Sequence, residues 1–301
     1  MSLNFSQSSI YKFYKIHQRK IFGGAALLLL ALFFLVGQLV FDYIKKPELE
    51  VSFFDVGQGD AIFIESKDGT QILIDGGPPN KILPQLGSKM RFFDRFIDVV
   101  ALTHPHADHV SGLIEVLERY NVGMIIESGV DYHTAEAKIF ESLIAEKKLK
   151  KVTVDHPINL NFANGAALKF IYPEESFSGM TLKNVHDSAL VSELDFEDKK
   201  ILLMSDAEKN LEKRLVAEGR VGDVDVLKTG HHGSKTSSND FFLRVTKPEY
   251  AIISSGARNR YGHPAPEVLS RLAAAGAKIF RTDLDGTITL EIRDGNLIWK
   301  K

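Results

Sequence analysis

The segment 102–112, LTHPHADHVSG, constrains this chain more than any other stretch of it. His104, His106, Asp108 and His109 crowd into one short run directly after the apolar residues 99–102. Imidazole nitrogens and carboxylate oxygens are donors that suit Zn²⁺, Mn²⁺ or Fe²⁺. At the end of an extended strand, His104 and His106 project from the same face. Asp108 and His109 then fall in the turn that follows, within reach of a second ion. Gly112 frees the backbone and a helix follows over 111–120. A histidine-rich polar loop without metal is the competing account. One histidine would leave it standing; four ligand-type side chains at this spacing favour a metal site.

Residues 21–41 are the second constraint. They are almost wholly apolar, with no charge and Gln38 the clearest polar side chain. At about 1.5 Å per residue a helix of this length crosses a hydrocarbon core. A cleaved signal peptide has a shorter apolar region and a small-residue cleavage site, and a buried core helix has a polar face. The stretch therefore reads as a signal-anchor helix, after a cytoplasmic segment 1–20 and before a globular domain 49–301. Lys12, Lys15, Arg19 and Lys20 precede it, whereas Lys45 and Lys46 follow beside Asp42, Glu48 and Glu50. This bias predicts a single-pass cell-membrane protein with a cytoplasmic N-terminus and an extracytoplasmic domain.

Of 37 basic and 39 acidic residues, six and three lie in the first fifty, which leaves a domain with a formal charge of −5. A net-acidic domain is no generic polyanion binder, so any nucleic-acid contact needs a local basic patch. The absence of cysteine rules out disulfides and thiolate ligands.

Past the anchor, strands over 49–56, 61–65 and 71–75 read as antiparallel sheet with Asp55, Asp60 and Asp75 at strand ends. Such aspartates serve turns, or orient metal-bound histidines. After the 102–112 segment come a strand at 123–127 and a helix at 134–147 whose basic end, Lys147 to Lys151, suits the helix dipole. Strands near 151–154 and 166–172 follow. A second half repeats the pattern: strands 188–196 and 200–204, helix 208–218, strand 224–228, helix 240–245, strand 250–254, helix 266–275, and strands 278–281 and 287–292. Sheet packed on sheet with helices outside is the expected α+β architecture. The His104 cluster, His186, Asp206 and His231 all fall at strand ends, although Asp206 also suits a helix N-cap.

The HxHxDH pattern at 104–109 resembles the signature of the metallo-β-lactamase fold. FDVGQGDA at 54–61, DGG at 75–77, HHGSKTS at 231–237, NRYGHP at 259–264 and TDLDGT at 282–287 are similar to the ComEC/Rec2 competence-protein branch. The likeness covers 49–299. It implies a four-layer αββα sandwich, preceded here by one transmembrane helix, and a two-metal hydrolase carrying Zn²⁺ or Mn²⁺. Position by position, His104, His106 and His186 hold one ion, Asp108, His109 and His231 the other, and Asp206 bridges. His232 takes a supporting or packing role. Competence channels carry a large multi-helix membrane domain where this chain has one apolar span, so a separate DNA-uptake channel is the partner implied.

Two ions about 3.5–4 Å apart activate a bridging water for attack on a phosphoryl group. Asp108, His263 and Lys235 are the expected catalytic residues. Ser234, Lys235, Thr236 and Ser237 offer donors to phosphate oxygens. Lys228, Arg258 and Arg260 supply a candidate basic patch, while Tyr261 and His263 can stack a base or donate to the leaving oxygen. DNA is the expected substrate. The alternatives are an envelope phosphodiester, a lactam or lactone, and a binding module without catalysis.

Overall fold

The computed structural model describes residues 7–300 and divides into two compact units, 1–46 and 47–301. The first holds one helix, α1 (Gln7–Lys45). Among the described residues no helix is long and apolar enough to cross a membrane. The side chains of Ile21 and Leu39, near the two ends of the apolar run, lie outside that description, as do the first six residues of the expected 1–20 segment.

The second unit contains two mixed sheets. The first begins with β1 (Leu49–Phe53), β2 (Ile62–Ser66) and β3 (Gln71–Ile74), paired antiparallel as expected. Helix α2 (Ile82–Lys89) leads to β4 (Phe96–Leu102), α3 (Ala107–Arg119), β5 (Asn121–Glu127), α4 (Ala135–Glu146) and β6 (Lys150–Thr153). Here β3 to β6 run parallel, because each return passes through a helix or connecting segment on one face. The second sheet takes β7 (Ile158–Asn161), β8 (Ala167–Tyr172), β9 (Val191–Phe196) and β10 (Lys199–Leu203) antiparallel. It then turns parallel through α5 (Lys209–Ala217), β11 (Val226–Lys228), α6 (Asp240–Thr246), β12 (Tyr250–Ile253), α7 (Pro266–Ala274) and β13 (Lys278–Arg281). After the short α8 (Thr282–Asp285), β14 (Ile288–Arg293) and β15 (Asn296–Lys300) return to the first sheet beside β1. Parallel βα repeats thus sit beside antiparallel strands in both sheets, a mixed two-sheet α and β fold as expected.

Three apolar clusters show the layering. Val51, Ile64, Ile74 and Ile126 meet Leu168, Leu194, Leu203 and Ile252 between the sheets. Val100, Ile125, Leu113, Val116 and Phe140 join the first sheet to α3 and α4. Leu202, Leu227, Leu215, Phe242 and Leu272 join the second to α5, α6 and α7. The order is helices, sheet, sheet, helices. Alternate side chains of one strand serve different layers, as Val99 and Val100 do, which is the period-two rule of a strand buried on both faces. Parallel strands carry their C-terminal ends to one edge, and the residues following β4, β10 and β11 meet there.

Candidate metal centre

Asp75 organises the first half of this edge. Its Oδ1 accepts from the Thr103 amide at 2.8 Å, and its Oδ2 accepts from the Thr103 hydroxyl and His109 Nδ1, each at 2.7 Å. His109 is thereby held with Nε2 pointing away from Asp75. The Thr103 hydroxyl hydrogen is committed to Asp75, so its oxygen accepts from His104 Nδ1 at 3.1 Å and leaves His104 Nε2 bare. The backbone permits this because α3 lies against the Asp75-Gly76-Gly77 turn: Gly76 donates to the His109 carbonyl and Gly112 to the Gly77 carbonyl. A β-carbon on Gly112 would stand 1.9 Å from the Gly76 oxygen. Likewise one on Gly59 would stand 2.1 Å from the Asp108 oxygen.

Two donor clusters result. His104 Nε2 and His186 Nε2 lie 3.1 and 3.2 Å from His106 Nδ1, and Asp206 Oδ2 is 3.6 Å from His104 Nε2. His186 arrives on a 3-10 turn, Val185–Ser188, ahead of β9. Asp206 follows β10; Glu208, not Asp206, occupies the N-cap position of α5. In the second cluster, Asp206 Oδ1 is 3.5 Å from His109 Nε2 and 3.4 Å from His232 Nε2, and Asp108 Oδ2 is 3.5 Å from His232 Nε2. Asp206 thus presents one oxygen to each group.

His231 is where the sequence reading and the structure part. It was expected beside Asp108 and His109, and His232 stands there instead. Both residues have positive φ, 45° and 54°, within the tight turn Gly230–Gly233. His232 turns inward, almost fully buried, where its Nδ1 donates to the Ser254 carbonyl at 3.1 Å and Nε2 faces the cluster. His231 stays partly exposed and donates through Nδ1 to Glu208 Oε1 at 3.1 Å, which also accepts from the Thr236 hydroxyl at 2.7 Å. His186, Glu208 and His231 form a third group of ligand-type atoms. Thr103 and Glu208 had drawn no functional reading from sequence; only their tertiary partners single them out.

Lys228 is a second correction. It was expected in a basic surface patch, and it is completely buried and paired with Asp60. Lys235, Arg258 and Arg260 are exposed. The Arg260 guanidinium sits 5.1 Å from the Tyr261 ring, and His263 lies 5.8 Å from that ring and 5.6 Å from His231. Histidine, histidine, tyrosine and arginine therefore lead from the centre to the surface. On the other side, a cavity of about 610 Å³ opens beside His104 and Pro105, lined by Tyr132, Glu127 and Lys151 among others.

Electrostatics among the centre's own side chains follow from burial working against charge balance. Burial opposes ionisation of Asp206, yet His232 and His109 outweigh it and hold the carboxyl well below its usual range. Burial would likewise discharge His232, but Asp206 and Asp60 push it up to about 10. His104 and His106 are lowered by burial first, His106 to about 4. Do these residues fit metal ions? His109 Nε2, His232 Nε2 and Asp206 Oδ1 are buried without a hydrogen-bond partner, although they lie side by side. Orphaned buried polar atoms are costly and rare, and bonds of about 2.0–2.2 Å to a shared ion would satisfy all three. The donor set fits.

A two-sheet sandwich with this histidine–aspartate edge defines a metallo-β-lactamase-type metal centre. Residues 54–257 match the metallo-beta-lactamase superfamily, and the chain belongs to that family. It is a metal-dependent hydrolase by fold, related to competence proteins. ComE operon protein 3 of Bacillus subtilis (strain 168) is 28% identical over 265 residues, covering 81% of this chain and 33% of that protein. Competence protein ComA of Neisseria gonorrhoeae is 29% identical over 265 residues, covering 84% and 34%. The chain therefore spans about a third of the length of these curated relatives. Among solved structures, CmlA, a diiron beta-hydroxylase from Streptomyces venezuelae, has a TM-score of 0.52 at 18% identity, covering 82% of this chain and 55% of that one. That likeness establishes the fold alone.

Proposed function

We propose that this chain is a membrane-anchored phosphodiesterase that hydrolyses DNA outside the cytoplasm with two divalent ions, Zn²⁺ or Mn²⁺. The observation that carries the reading is the pair of donor clusters joined through Asp206. His104, His106 and His186 would hold one ion, Asp108, His109 and His232 the other. When bound, the pair supplies an acidified water and positive charge for a phosphoryl oxygen.

The chain's own residues do the rest. Asp75, Thr103 and the Ser254 carbonyl fix which nitrogen each ring presents. Glu208 orients His231 so that its Nε2 turns towards Asp206, 3.8 Å away. His263 is held to about 4 by burial and by its histidine neighbours, so at neutral pH it is an uncharged ring, suited to hydrogen-bonding a phosphate or leaving oxygen rather than to acting as a charged acid. Lys235, Arg258 and Arg260 offer phosphate contacts, and exposed Tyr261 a stacking face. These groups favour a phosphodiester over a lactam, and the name of the relative Competence protein ComA favours DNA. Residues 21–41 within α1 supply the anchor, with a DNA-uptake channel as a separate partner.

The test is cleavage of end-labelled single- and double-stranded DNA by the full chain in detergent, stripped with chelator and reloaded with Zn²⁺ or Mn²⁺. Asp108→Ala is expected to lower the rate on the order of 10³-fold or more, because it removes a ligand and its charge. A metal-loaded chain that hydrolyses a simple phosphodiester but leaves both DNAs intact would move the substrate to another phosphodiester. DNA cleavage undiminished in Asp108→Ala would remove this centre from the reaction.

A further inference from the structure

At the opposite edge of the first sheet from the metal centre lies the connection between α2 and β4, residues 91–95, with sequence RFFDR. Phe92 and Phe93 are 79% and 91% exposed, and Phe96, the first residue of β4, is 47% exposed. The two neighbouring rings stand edge to face, 4.9 Å apart, and project together. Burying rings so exposed is worth more than leaving them in water, so the loop calls for an occupant.

The surroundings give the occupant's charge. Because β4, β5 and β6 are parallel, the start of each lies on this edge, with the ends of α3 and α4 that lead into β5 and β6. Arg91 and Arg95 flank the phenyl rings, and Arg119, Lys147, Lys148 and Lys150 are exposed at those element ends. Glu118 and Glu146 are the exposed acids among them. Asp94 points inward instead, accepting from the Gln71 side chain at 2.8 Å and from the Phe96 amide at 3.2 Å. Phenyl rings between arginines, with exposed lysines where α4 leads into β6, match the boundary of an anionic bilayer, where aromatics settle at headgroup depth and basic side chains meet lipid phosphate.

The topology agrees. Leu49 pairs with Ser66 at the end of β2, Glu65 with Gln71 at the start of β3, and Ile72 with Val99 three residues into β4. The first strand of the hydrolase unit therefore starts, at Leu49, on the edge that carries the phenylalanines.

We infer that the Phe92–Phe93 loop is a lipid-surface contact, inserting its rings among anionic headgroups and setting the hydrolase unit with its metal centre turned away from the bilayer. This goes beyond the phosphodiesterase reading and holds whatever the substrate.

The chain has no cysteine, so single labels are clean. Full-length Phe93→Cys carrying an environment-sensitive fluorophore would be reconstituted into vesicles of phosphatidylcholine with phosphatidylglycerol, with and without nitroxide-labelled lipid. Leu284→Cys is the control: it is 70% exposed and follows β13 at the metal-centre edge. The expected result is a blue shift and severalfold stronger nitroxide quenching at position 93 than at 284, reduced when Arg91 and Arg95 are both changed to serine. Recovery of the chain with the vesicles reports on α1 separately. Equal, weak quenching at both positions in vesicle-bound chain overturns this inference and leaves the anchor intact. Emission at 93 already blue-shifted without lipid, and indifferent to nitroxide, also overturns it, since a second copy or a protein partner then covers the loop.

Discussion

His231 and His232 are neighbours in sequence and do different work in space. The His232 ring is buried against Asp60, Asp108 and Asp206, whereas His231 leans on Glu208. His232→Ala is therefore expected to cut bound metal from close to two ions per chain to close to one, while His231→Ala keeps both and loses turnover. Elemental analysis of the two proteins side by side distinguishes them, and equal metal content would return His231 to the ligand set. Lys228 makes a prediction of another kind. Its ammonium and the Asp60 carboxylate are both buried, so Lys228→Met leaves a charge without its partner. Such a loss costs about 3–5 kcal/mol, far above the figure for a surface pair. Denaturant unfolding of the two proteins measures it, and a change below about 1 kcal/mol would mean the pair is not what holds Asp60.

Among the elements, β5 ends in a carboxyl that resists ionisation. Glu127 is pushed up to about 7 from an ordinary 4.5, by burial first and by Glu141 second, with Lys151 at 2.9 Å pulling the other way. A carboxyl that binds its proton more tightly when folded loses stability as pH rises, here between about 4.5 and about 7, and stays at the lower level above. Glu127→Gln should remove that decline, so its melting temperature gains on the parent's across this window and exceeds it at pH 8. Parallel melting curves from pH 5 to pH 8 check the sign.

Element by element, much of this was legible in the chain. The antiparallel β1–β3, the helix α4 and the β10-to-β13 alternation follow from period and turn residues. What escaped was α2, interrupted by Pro84 and Gly87, and the short edge strands β7 and β15, whose core-facing residues, Ile158 and Leu160, Leu297 and Trp299, are two each and only half-buried. The His104–His109 group was legible because its four ligands are local. The placement of His232 rather than His231 beside Asp108 and His109 was not, because the Ser254 carbonyl that holds the His232 ring comes from the residue after β12. Lys228 read as surface charge for the same reason: its partner, Asp60, lies 168 positions away.

At the scale of the whole molecule, the hydrolase unit has its own three-layered core and is expected to fold apart from α1. Shaving intact cells with protease should release it, since basic residues concentrate ahead of residue 21. Full protection, in cells whose other surface proteins are cut, would invert the proposed orientation.

The candidate ligand atoms come from both halves: His104, His106, Asp108 and His109 follow β4, whereas His186, Asp206 and His232 belong to the second half. On the proposed ligand set neither half completes an ion's coordination alone, so loading would wait until the ribosome has delivered His232 and the sandwich has shut. On the proposed extracytoplasmic topology, the choice of metal would then pass from the cytoplasm's ion buffers to whichever ions are abundant where the chain emerges.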